Sequence, residues 1–134
     1  MSNVIKIVTV YDKRHDYSNI KTIIQEDTRF TLSAHFSSAE AITANYSTLD
    51  VNIVILDECI GNIPSPDLLA KLIDIKPNIG IISMSITDDP SWVQATVQAG
   101  GRFFLATPNG DTVTNSEQKH IRDTILNVYQ QYRT

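Results

Sequence analysis

Apolar residues arrive along this chain in short runs, separated by amphipathic stretches, and the two kinds alternate. Val4–Val10 is rich in β-branched residues and predicts a strand. Phe30–Phe36 alternates strictly, with Phe30, Leu32, Ala34 and Phe36 on one side and Thr31, Ser33 and His35 on the other, which predicts a half-exposed edge strand. Asp50–Asp57 is apolar on both faces except at Asn52, as a central parallel strand covered on both sides should be. Ile79–Met84 predicts a further buried strand, and Arg102–Leu105 a short last one.

Between these runs the spacing turns helical. Tyr17, Ile20, Ile23 and Ile24 fall on one face, with Asp16 or Ser18 as the N-cap. Ser37–Glu40 reads as a capping box ahead of the stripe Ala39, Ile42, Tyr46 and Leu49. Gly61–Pro66 reads as a loop, in which Ser65 caps the next helix and Pro66 takes its first position. Leu68, Leu69, Leu72 and Ile73 are that helix's buried side, and Pro77 lies beyond its end. Asp89-Pro90 starts a helix carrying Trp92, Val93, Thr96 and Val97, which stops at Ala99-Gly100-Gly101. The last helix begins near Thr114–Glu117 and carries Ile121, Ile125, Val128, Tyr129 and Tyr132.

Five strand–helix units without a break in composition predict an α/β fold: a flavodoxin-like three-layer sandwich on a five-stranded parallel sheet. The edge character of the second strand and the burial of the third point to the order 2-1-3-4-5. Residues 1–134 are expected to form one domain.

Charge and composition narrow the function. A net charge of -4 argues against general nucleic-acid binding, which needs a basic face. No run approaches a membrane span, and the amino terminus does not read as a signal peptide. The single Cys59 excludes an internal disulfide, so a cytoplasmic protein is expected. His15, His35 and His120 lack metal-ligand spacing, and Asn45-Tyr46-Ser47 matches a glycosylation sequon by chance.

The chemistry gathers at the carboxyl ends of the strands, where open α/β sheets place their sites. A buried strand has no reason of its own to finish on a charge, which singles out Asp57. The other ends deliver Tyr11 and Asp12, then Ser85, then Thr107. Two carboxylates brought together call for a hard divalent cation, and with it one of them can attack a phosphoryl group.

On these residues the chain resembles the receiver domain of bacterial response regulators, over about Val4 to Tyr132. The resemblance implies that Asp57 is the phospho-acceptor. Asp12 corresponds to the second residue of the family's acidic pair, a Mg²⁺ ligand with Asp57 and the backbone carbonyl of Cys59. Ser85 matches the switch hydroxyl and Phe104 the aromatic switch position. Two departures stand out: Tyr11 replaces the first acid, and Thr107 replaces the lysine before Pro108. The segment after Asp57 is also unusual, with Glu58, Gly61 and Pro64. Fewer anionic ligands imply weak Mg²⁺ binding.

The resemblance implies no enzyme but a phosphoprotein of a two-component phosphorelay, in which a histidine kinase or phosphotransfer protein loads Asp57 to regulate a downstream output. The face of helices four and five would serve a homodimer or an output domain; Trp92, on helix four, is expected in the core more than on that face. The alternative is a degenerate, non-phosphorylated receiver, kept as a dimerisation or docking module, as in the N-terminal part of a larger protein. A flavodoxin would need a glycine-and-hydroxyl phosphate loop after the first strand, a dinucleotide fold its G-x-G-x-x-G, and a hydrolase its G-x-S-x-G; none is present.

Overall fold

The structure is a computed structural model that describes residues 4–12, 17–57, 59–60, 63–85, 90–106 and 114–132. Strands β1 (Ile5–Val10), β2 (Phe30–Phe36), β3 (Ile53–Asp57), β6 (Gly80–Ser85) and β7 (Phe103–Ala106) form one sheet in the order β2-β1-β3-β6-β7. Every pairing in it is parallel. Counted along the main sheet alone, this is the expected 2-1-3-4-5 order. The helices are α1 (Ser18–Glu26), α2 (Ala39–Asn45), α3 (Ser65–Ile75), α4 (Pro90–Gln98) and α5 (Asn115–Tyr132).

The sheet divides the core in two. Ile5, Ile7, Ile53, Ile55, Ile82, Met84 and Leu105 pack with Ile20, Ile23 and Ile24 of α1 and Ile121, Ile125 and Val128 of α5. Val8, Val10, Val54, Leu56 and Ile81 pack on the other face with Ile42 of α2 and Leu68, Leu69 and Leu72 of α3. Each such side chain contributes about 1.5–3 kcal/mol when fully buried, so the apolar runs and helical stripes fix the layering.

The edge strand departs from its sequence pattern. Ile7 pairs with Leu32 but Val8 with Ala34, so the register slips at Ser33. A bulge of one residue reverses which side chains face which layer. Phe30 and Leu32 accordingly join the α1/α5 core, whereas Ala34 and Phe36 join the α2/α3 core. The expectation that all four share a face is corrected, and His35, which stays exposed, lies beside Thr9 on the α1 side.

Smaller corrections concern the caps. Tyr17, not Asp16 or Ser18, occupies the N-cap of α1, and Ser18 is its first residue. Ser38 rather than Ser37 caps α2, its hydroxyl accepting from the N–H of Ala41 at 3.1 Å. The stripe behind it continues through a single 3₁₀ turn at Tyr46–Thr48. Within Gly61–Pro66, read as a loop, Ile63–Pro64 forms strand β5, which pairs antiparallel with β4 (Cys59–Ile60). Val97, expected on the apolar face of α4, is 53% exposed.

The ends of α4 and α5 follow the sequence. Gly100 has φ 107°, and the N–H groups of Gly100 and Gly101 donate to the carbonyls of Val97 and Thr96. This pair of bonds is the Schellman closure, which needs a left-handed residue that glycine supplies without steric cost. Thr114 and Glu117 form a reciprocal capping box at the start of α5, with bonds of 3.1 and 3.0 Å.

Candidate functional site

Asp57 ends β3 with no exposed surface. Val10 of β1 pairs with Leu56, so Tyr11 follows beside Asp57 and Asp12 lies one residue further along the same rim. On the other side Asp57 pairs with Met84, which places Ser85, also fully buried, at the adjoining strand end. The topology therefore brings Asp12, Asp57 and Ser85 to one edge of the sheet. Thr107 lies outside the described residues. Of Cys59 only the backbone is described, in β4 opposite Pro64.

Two residues that the sequence did not assign to the site hold Asp57 in place. The Tyr17 hydroxyl donates to Oδ1 of Asp57 at 2.7 Å, and Tyr17 itself is 1% exposed. The Ser65 hydroxyl donates to the backbone carbonyl of Asp57, tying the start of α3 to the end of β3. Ser65 was expected to cap its helix; its hydroxyl instead serves the strand. One signal for Tyr17 was available: a tyrosine on an apolar stripe must find a partner for its hydroxyl once buried.

Tyr11, where the resemblance leads one to expect an acid, packs as an aromatic. Its ring meets Tyr17 edge-on at 5.3 Å and lies 4.4 Å from the ring of His35 on β2. Nδ1 of His35 lies 2.9 Å from Oγ1 of Thr9. Across the sheet, Phe104 is half-buried and takes Trp92 edge-on at 5.9 Å. Trp92 is itself half-buried, and its Nε1 is buried without a hydrogen-bond partner among the described residues.

The donor set suits a hard cation in kind: the carboxylates of Asp12 and Asp57 and a backbone carbonyl at Cys59 are all oxygen. Among the described residues no three His, Cys, Asp or Glu side chains come together. With Tyr11 packed on its aromatic neighbours, the set holds two carboxylates.

Burial lowers the pKa of His35 below its ordinary 6.5; Thr9 opposes the shift and the charge of Lys21 adds to it. A histidine with a depressed folded pKa binds its proton more readily when unfolded. Its contribution to stability is then complete above the unfolded value, declines as the pH falls from about 6.5 toward the folded value, and levels off below that. Histidine ring NMR should show His35 titrating below 6.5, and Lys21→Gln should move the midpoint upward. A midpoint at or above 6.5 contradicts the assignment.

No protein-family model and no curated protein matches the sequence. The structure does have close likenesses. A CheY-like response regulator receiver domain protein from Methanospirillum hungatei JF-1 superposes with a TM-score of 0.78 at 15% identity, covering 96% of each chain. The response regulator domain of Thermotoga maritima CheB gives 0.75 at 14%, covering 98% of each. The isolated REC domain of RcsB from Salmonella enterica serovar Typhimurium, solved with the phosphomimetic BeF3-, gives 0.74 at 12%, covering 98% of this chain and 100% of that one. Together with the sheet order and the placement of Asp57, these likenesses show that the chain has the fold of response-regulator receiver domains.

Proposed function

We propose that this protein is a receiver module of a phosphorelay, in which Asp57 accepts a phosphoryl group from a histidine kinase or phosphotransfer protein and passes its state to an output. The observation that carries the reading is a carboxylate buried completely at the carboxyl end of the central strand, with Asp12 and Ser85 at the strand ends beside it. A structural aspartate gains nothing from such a place, since a buried carboxylate needs donors to offset its lost hydration. The phosphomimetic in the RcsB domain, a protein of the same fold, supports the reading by analogy.

Asp12, Asp57 and the carbonyl of Cys59 would hold Mg²⁺, which supplies positive charge to offset the incoming phosphoryl group. The chain's own groups do the rest: Asp57 offers the nucleophilic oxygen, Ser65 ties the end of its strand to α3, and Ser85 donates from the adjoining strand. With Tyr11 and Thr107 in place of an acid and a lysine, loading is slow. One lost charge-assisted contact costs about 1.5–3 kcal/mol, or roughly tenfold to a hundredfold in rate.

The test is incubation with phosphoramidate and Mg²⁺, followed by intact mass. The P–N bond of the donor breaks as the P–O bond to Asp57 forms, leaving an acyl phosphate and ammonia. A single adduct that disappears in Asp57→Asn and forms faster in Thr107→Lys is the expected result. The docking-module reading draws on the bond from Tyr17 and the packed ring of Tyr11, which occupy the acceptor and an acid position. No adduct at saturating Mg²⁺, from a folded protein, decides for that alternative.

A further inference from the structure

Tyr17 does more than fill the core. Its hydroxyl donates to Oδ1 of Asp57 at 2.7 Å, so it holds one oxygen of the acceptor carboxylate. Its ring is enclosed, so the hydroxyl cannot leave Asp57 without a response from whatever the ring touches. One such neighbour is Tyr11, edge-on at 5.3 Å, and beyond it His35 at 4.4 Å. His35 belongs to the edge strand and is exposed to solvent over part of its surface, with its ring fixed by Thr9 at 2.9 Å. Three aromatic rings thus run from the acceptor to the outer edge of the sheet.

We propose that Tyr17 is a latch on Asp57, and that its release is carried through Tyr11 to His35, making the edge strand β2 a reporting surface of the site. The inference rests on Asp57 being the acceptor. Tyr17 acts as a positioning residue: its charge-assisted hydrogen bond favours the resting carboxylate, and loading, which removes the charge from the oxygens of Asp57, weakens it. The string also accounts for Tyr11. A carboxylate there would serve a metal, whereas an aromatic side chain joins the acceptor to β2. The bulge at Ser33 puts His35 opposite Thr9, where its exposed ring meets Tyr11.

The experiment compares the wild type with Tyr17→Phe, which keeps the ring and removes only the hydroxyl. Adduct formation from phosphoramidate is followed by intact mass, the His35 ring proton by NMR, and folding by circular dichroism. Tyr17→Phe should load on the order of tenfold faster, although removal of a buried hydrogen bond makes the fold less stable. A merely structural tyrosine would not give that opposition. The His35 resonance should shift on loading of the wild type, and Tyr11→Leu should suppress the shift. Equal loading rates in wild type and Tyr17→Phe overturn the latch and leave the acceptor reading standing. Loading that leaves the His35 resonance unmoved overturns the coupling to β2. No adduct in either folded protein overturns the acceptor reading itself, and the latch with it.

Discussion

Tyr17→Ala should destabilise the protein by about 3–5 kcal/mol, the cost of deleting a large buried aromatic side chain. Tyr17 is among the largest fully buried residues and packs with Ile20, Ile24, Ile55 and Met84 in the α1/α5 core. Two losses coincide in this variant. The ring leaves a cavity beside α1, and the carboxylate of Asp57 loses the donor at 2.7 Å while remaining buried. Tyr17→Phe suffers only the second loss and should fall well short of the alanine variant. Urea unfolding of the three proteins separates the contributions. If alanine and phenylalanine cost the same, the ring contributes nothing and the packing described for it is wrong.

Ile55→Ala should cost about 2–5 kcal/mol by the same reasoning applied to the central strand. Ile55 has no exposed surface, pairs with Thr9 on one side and Ile82 on the other, and faces the α1/α5 core. No single helix can move inward to fill the space, because the strand is held on both edges. Against a total stability of about 5–15 kcal/mol for a domain, this is a large fraction. Ile75, 37% exposed at the end of α3, is the control: Ile75→Ala should stay within about 0.5 kcal/mol. Thermal and urea unfolding check both, and comparable losses at the two positions would contradict the burial assigned to β3.

Both predictions concern residues whose surroundings differ in how far they can be read from the chain. The helical stripe that includes Tyr17 is visible in the spacing of Tyr17, Ile20, Ile23 and Ile24, and so is its burial. The partner of its hydroxyl is not, because Tyr17 and Asp57 lie 40 positions apart and no local pattern links them. The same holds for Ser65, which has the sequence context of a helix cap and gives its hydroxyl to the end of β3. The edge strand shows a different gap. Its strict alternation assigns one face to Phe30, Leu32, Ala34 and Phe36, but pairing with β1 introduces a bulge that divides them between two cores.

The architecture, and the rim on which the candidate site is proposed, were legible along the chain. Apolar runs alternating with amphipathic stretches leave few options other than a covered parallel sheet, and a carboxylate at the end of the central run singles out the candidate rim. Local signals were sufficient there because strand and helix periodicities repeat over many residues. Long-range contacts were not legible there, and the tertiary structure supplied them: the Tyr17 hydroxyl on Asp57, the Tyr11 ring against Tyr17, and His35 beyond it. Each depends on the register and curvature of strands that meet across dozens of residues. A slip of one position, such as that at Ser33, reverses the facing of every side chain beyond it.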